Sequence, residues 1–299
     1  MGSRLITVCL TSVLVIFFLG SCHRNDSSFW FLVVSDTHYG KADRQVNRMT
    51  IEAMNRLPGT PLTDTCTTLI GTPMGVIHCG DILDGPSDSA FRLFEEDYGL
   101  TGEGLLRFPV YETFGNHDGG FEEAVRQGMI RRNPSRPNLA GISENGLHYS
   151  WDWKGVHFVN LNAYPGNDWI DTCGWCHYFH HPFREPLYSR DFLKQDLAAM
   201  VGSSGRPVVL VQHYGWDGFS QLWWTQPDRD SLWEVIQPYN VIGIFQGHCH
   251  AVEQFDFHGI PVWSAGSTQH GDQPGDILAV RYHEGRLSVV NKRPTPESR

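Results

Sequence analysis

Aspartate, histidine and asparagine recur in five short motifs of this chain, each standing where an apolar run stops. The motifs are Asp36-x-His38, Gly80-Asp81, Gly115-Asn116-His117-Asp118, His213 and Gly247-His248-x-His250, in that order. Carboxylates and imidazoles hold ions such as Zn, Mn or Fe, and one carboxylate can bridge two of them. Two ions about 3.5–4 Å apart clamp the attacking and leaving oxygens of an in-line displacement, and lower the pKa of bridging water until hydroxide is available near neutral pH. Any one motif is weak, since Gly-Asp or His-x-His arises by chance; the series at strand ends carries the reading. Asp36 and Asp81 could each be a plain helix N-cap after a strand, but the downstream histidines speak against it. His78, three residues before Asp81, reads as a core histidine, and Cys249, between two histidines, as packing turned away from them.

These residues need elements to position them. Phe29–Val34 is continuously apolar and β-prone, as in a buried strand that delivers Asp36 at its carboxyl end. Val46, Met49, Ala53, Met54 and Leu57 recur at helical spacing, which predicts an amphipathic helix. Gly75–Cys79, Pro109–Phe114, Pro207–Gln212 and Val241–Gln246 read as further strands, each running into a motif, with a helix over Phe192–Val201. Ligands gather at strand carboxyl ends in open α/β sheets. Gly146–Trp153 and Val156–Asn162 alternate like antiparallel strands on a sheet edge, and Glu253–Val290 reads as short strands turning at Gly259 and Gly285. The expected fold class is α/β, with two sheets packed face to face and helices outside, in one domain without repeats.

Together the five motifs resemble those of the calcineurin-like metallophosphoesterase superfamily, and the resemblance spans nearly all of the chain after the first segment. It implies an αββα architecture and a phosphoric ester hydrolase with two divalent metal ions (Mn, Fe or Zn), cleaving mono- or diesters with a bridging hydroxide. Carried over position by position, it implies Asp36, His38 and His250 on one ion, Asn116, His213 and His248 on the other, and Asp81 between them. His117 would sit beside the second ion without binding it and would protonate the leaving oxygen or stabilise charge on the phosphoryl group, and Asp118 would hold His117 in its tautomer. The purple acid phosphatases of this superfamily carry tyrosine three residues after the bridging aspartate; here Asp84 stands there, which argues against a tyrosinate-ligated ferric site. The additional domains of large two-domain nucleotidases are also missing from the pattern. Competing readings are a non-catalytic scaffold that keeps the metal site, a protein phosphatase, and a thiol redox protein using Cys173 and Cys176.

Composition bounds the partners. A net charge of -10 without any Lys/Arg-rich run excludes a nucleic-acid binder that works by broad phosphate neutralisation. Arg4 followed by the apolar run Leu5–Leu19 has the form of a signal peptide and is short for a membrane span. Leu19-Gly20-Ser21-Cys22 resembles a bacterial lipobox, so the chain is expected to be exported to the periplasmic or cell-surface side and tethered to the membrane through a lipidated Cys22; simple cleavage near Ser21 is the alternative. The expected organisation is a signal peptide over 1–22, a linker over 23–28, the catalytic domain over 29–291 and a flexible tail over 292–299. Five cysteines remain beyond Cys9 and Cys22, an odd number in a compartment where disulfides persist. Cys173 and Cys176 read as a local disulfide, with a half zinc site or a redox pair as alternatives. They lie in an aromatic, His-rich stretch from Tyr164 to Tyr188 that includes His177, His181 and Arg184. Such a stretch could wall a site for a lipid-linked or nucleotide phosphate ester, or form an insert with its own small core.

Overall fold

The computed structural model describes residues 28–63, 65, 67–85, 87–118, 124–167 and 185–294. The expected leader, Cys66, Cys173, Cys176 and most of the aromatic stretch lie outside them. In chain order the elements are β1 (Phe29–Val34), α1 (Arg44–Arg56), β2 (Pro73–His78), α2 (Asp88–Tyr98), β3 (Val110–Glu112), α3 (Ala124–Arg132), β4 (Leu139–Ile142), β5 (Tyr149–Trp153) and β6 (Val156–Asn160). There follow α4 (Ser189–Asp196), β7 (Val208–Val211), α5 (Gln226–Ile236), β8 (Val241–Gln246), β9 (Glu253–Phe257), β10 (Ile260–Ser264), β11 (Gln269–His270), β12 (Gln273–Pro274), β13 (Leu278–His283) and β14 (Arg286–Asn291).

Two mixed sheets form the middle layers, in the orders β14-β13-β1-β2-β3 and β4-β5-β6-β7-β8-β10-β9. β1, β2 and β3 are parallel, as are β6, β7 and β8, so both sheets point their motif-bearing carboxyl ends at loops rather than at hairpins. β1 is apolar throughout because it is buried on both faces. On one face Phe31 meets Phe158 of β6 and Phe245 of β8 edge-on, at 5.5 and 5.7 Å between ring centroids, which joins the two sheets. On the other face lie Ile51 and Met54 of α1, in the same core cluster. A second cluster packs Leu193 of α4 and Leu232 and Ile236 of α5 on the outer face of the seven-stranded sheet, completing the αββα layers. Among the described residues no helix is long and apolar enough to cross a membrane.

The details differ from the expected pattern in instructive ways. α1 buries Asn47 and Thr50 beside Val46 and Met54, while Met49 is half-buried. Asn47 Nδ2 donates to the Thr37 carbonyl at 2.8 Å and Thr50 Oγ1 to that of Thr268 at 2.7 Å, so the polar residues on the inward face tie down loops at the carboxyl end of β1. The β5–β6 hairpin is not the sheet edge, because β4 pairs outside it. The tail expected from residue 292 begins pinned: the Lys292 N–H donates to the Ile277 carbonyl at 2.7 Å, and Arg293 pairs with buried Asp276 at 2.9 Å.

Candidate metal centre

Five strand ends converge on one place. β1 delivers Asp36 and His38, β2 Asp81, β3 Asn116 to Asp118, β7 His213, and β8 His248 and His250. The backbone turns sharply at these residues: Asp36, His38, Asp81, His248 and His250 all have positive φ, between 46° and 74°. Non-glycine residues adopt that region at a cost of order 1–3 kcal/mol, and such strain collects at functional sites. Neighbouring glycines make the approach possible. A Cβ on Gly115 would collide with the backbone nitrogen of Asp81, and one on Gly247 with Ser35 Oγ and the Cys79 carbonyl.

Polar contacts then lock the loops together. The N–H of His117 donates to Asp81 Oδ1 at 2.9 Å, and that of His248 to Asp36 Oδ2 at 3.2 Å, the second crossing from one sheet to the other. His213 Nδ1 lies 2.7 Å from the Cys79 carbonyl, a bond that only a protonated Nδ1 can make. Its Nε2 is thereby aimed at Asn116 Oδ1, at 2.9 Å, and Asp81 Oδ2, at 3.3 Å. His38 Nε2 and His250 Nε2 converge to 3.1 Å, and Asp36 Oδ1 is 3.4 Å from His250 Nε2.

Asp36, His38, Asp81 and His250 each place one ligand atom within 4.8 Å of the others, as do Asp81, His213 and His248. Asp81 belongs to both groups, as a bridging residue must, and Asn116 abuts the second through His213. Among the described residues, buried Asp36 Oδ1 and His248 Nε2 make no well-formed hydrogen bond. Oxygen and nitrogen donors in this arrangement fit two hard or borderline divalent ions. The electrostatics agree. Burial works against charge on Asp81, yet His213 holds its carboxyl well below the usual range. His213 is itself disfavoured by burial but lifted to about 9 by Asp81 and Asp36, whereas burial drives His248 down to about 4.

Asp118 stands differently from the role the resemblance implied. Asp118 is fully buried and turned to the main chain, accepting the Leu83 N–H at 2.8 Å and the Gly115 N–H at 2.6 Å. The carboxylate paired with the His117 ring is Asp84, whose Oδ1 lies 3.6 Å from His117 Nδ1 and 3.5 Å from His38 Nδ1. Asp118 thus shapes the loop that carries Asn116 and His117. Burial and the neighbouring Asp81 push it up to about 8, against the backbone donors of Leu83, Gly115 and Ile82. His78 and Cys249 flank these ligand positions. His78 is in the core, its Nε2 3.0 Å from Thr37 Oγ1, and burial lowers it to about 4. Cys249 Sγ lies 2.8 Å from Ser264 Oγ, but the residue is half-buried and lines the cleft over the site, more than packing alone.

Residues 29–252 match the calcineurin-like phosphoesterase family. The chain belongs to that family. Among curated proteins, the chain is similar to purple acid phosphatase 22 of Arabidopsis thaliana, with 26% identity over 153 residues; the match covers 49% of the chain and 31% of the plant protein. Among solved structures it shares its fold with a dimetal phosphatase from Danio rerio, at a TM-score of 0.56 and 12% identity, covering 89% of this chain and 99% of the other. The chain thus spans about a third of the plant relative's length and nearly all of the fish protein's fold.

Proposed function

We propose that this phosphoesterase hydrolyses phosphate mono- or diesters with two divalent metal ions, one held by Asp36, His38 and His250, the other by Asn116, His213 and His248, with Asp81 shared. The observation that carries the reading is the convergence of these seven donors from five strand ends, with Asp81 common to both clusters. Bound there, the ions would neutralise the phosphate and activate water for attack. The protein's own groups do the rest. His117 stands at the mouth of the site, its side chain 43% exposed, where it can reach a leaving oxygen and give it a proton. Asp84 faces its Nδ1, which leaves Nε2 to carry that proton. Asp81 holds the His117 backbone, and Asp118 the turn beneath it.

The proposal extends to the cell. The Leu5–Leu19 run and Cys22 support an exported enzyme tethered by lipid, and the mass of the mature amino terminus tests this, an unmodified residue after cleavage overturning it. For the chemistry, metal content by elemental analysis is paired with hydrolysis of p-nitrophenyl phosphate and bis-p-nitrophenyl phosphate, with and without chelator. About two ions per chain and chelator-sensitive release are expected for a dinuclear site. Protein that remains inactive on both esters after Mn or Zn is added contradicts the reading.

A further inference from the structure

The cleft over the metal-binding residues has a volume of about 930 Å³, the size of a small-molecule site. Its walls include Asp84, Asn116, Asp217, Phe219, Trp223 and Glu253. Phe219 is 56% exposed and Leu222, on the same turn, 55%. Large apolar side chains left open beside a polar centre form a surface from which a ligand would displace water favourably.

The Phe219 ring is held in place by the protein itself. Asp217 Oδ1 accepts the N–H groups of Phe219 and Ser220 at 3.0 and 2.8 Å, and its Oδ2 accepts the Ser220 hydroxyl at 2.6 Å. Arg229 donates to the Gly215 carbonyl at 2.9 Å and braces the start of the turn. The Phe219 ring lies parallel to that of His248, at 5.3 Å and 13°, and edge-on to Trp223 at 4.6 Å. A ring so fixed costs little to order when a ligand stacks on it or slides along its edge.

Charge divides the site. The described residues lining this cleft include the carboxylates of Asp81, Asp84, Asp217 and Glu253 and neither lysine nor arginine. Lys41 lies with His38, Ser267 and Gln269 in a smaller pocket of about 360 Å³ that shares Asp84, His117 and His250 with the larger one, and it is paired with Asp84 at 3.3 Å. Among the described residues, a leaving group that brought its own negative charge to the Phe219 side would meet the carboxylates of Asp217 and Glu253 and no lysine or arginine.

We propose that the Phe219 turn is the leaving-group subsite, and that it takes an uncharged, flat, apolar group of the aryl class and rejects one that carries an anion. The assignment rests on the phosphate-ester reading above, and binding separates the two. The test is calorimetric titration of the full-length, Mn-loaded protein with methyl-, phenyl- and 2-naphthylphosphonate, which cannot be hydrolysed. Affinity is expected to rise by about tenfold or more across the series, to flatten in Phe219→Ala and to be restored in Phe219→Trp. A flat series in the wild type, or one unchanged in Phe219→Ala, overturns the subsite even if esters are cleaved. 4-Carboxyphenylphosphonate is expected to bind more weakly than phenylphosphonate and to recover in Glu253→Gln; tighter binding of the carboxylated probe to the wild type overturns the charge selection. If the series holds in protein that cleaves no ester, the subsite stands and the phosphoesterase reading fails.

Discussion

Glu112 and Asp81 are both buried carboxylates at the carboxyl ends of neighbouring strands, β3 and β2. Glu112 meets Arg132 Nε at 2.7 Å and Arg136 at 2.5 Å, and the two guanidinium groups, outweighing its burial, hold its carboxyl at about 2. Every charge in that cluster has a fixed opposite inside the fold, since Arg132 also lies 3.7 Å from Glu95, and both arginines are held further by the Gly99 and Val110 carbonyls that they donate to. Among the described residues Asp81 has no arginine or lysine beside it: it sits with Asp36 among His38, His213, His248 and His250, of which His213 is held in its charged form by the two acids. Two buried acids facing imidazoles in place of guanidinium groups form a cluster whose balance bound cations would complete. The first arrangement holds β3 and α3 together, and the second is kept at a cost because it binds something.

Substitutions that exchange these behaviours sharpen the contrast. Asp81→Asn is expected to have the largest effect, lowering metal content at both clusters and removing turnover altogether, as chelator should in the wild type; elemental analysis beside ester hydrolysis reads both, and full activity would refute the shared-ligand role. His117→Asn should cut turnover by about 10²–10⁴-fold, the usual worth of a positioned acid, with metal content retained; loss of metal in this variant would make His117 a ligand instead. Glu112→Gln should act on the fold alone, costing about 3–5 kcal/mol by leaving the buried Arg136 without its carboxylate and Arg132 with Glu95 only. That is a drop of roughly 10 °C in Tm, read by thermal unfolding, and a loss of turnover at unchanged Tm would contradict its structural role.

The smallest effect concerns His157, a third buried cluster of the balanced kind. Burial disfavours its charged form, but Asp152 and Asp196, at 2.8 and 2.6 Å, outweigh burial and raise its pKa. The stability it contributes is therefore fully present below its ordinary value of about 6.5 and is lost as the pH rises through its raised value. The stability gap between the wild type and His157→Gln should narrow on going from pH 6 to pH 9 in denaturant titrations. A gap that widens with pH would mean that His157 is buried neutral.

What could be read in advance followed local rules. Strands that end in Asp or His announce themselves through an apolar run stopping at a polar residue, so β1, β2, β7 and β8 and their motif residues were legible. β4 was not, because its four residues, Leu139–Ile142, are only partly buried and carry no alternation. The pairing of His117 with Asp84 rather than Asp118 was hidden for another reason. It depends on the left-handed turn at Asp81 (φ 53°), which brings residue 84 back over the site, while Asp118 satisfies main-chain donors of a loop whose shape no spacing rule gives. The signal available was the three-residue step from Asp81 to Asp84, noted only as a departure from tyrosine. Phe219 was missed because an exposed ring in a Gly-flanked turn has the same sequence signature as a buried one; its neighbours Tyr214 and Trp224 are buried.

β1 runs from Phe29 to Val34 with the turn that carries Asp36 and His38 at its far end. Six residues of extended chain, at about 3.3 Å each, separate the two ends by about 20 Å. If the chain is held through the segment ahead of Phe29, the entrance to the site therefore points away from the point of attachment. Such an orientation favours molecules arriving from the surrounding fluid over those embedded in the surface to which the protein is fixed.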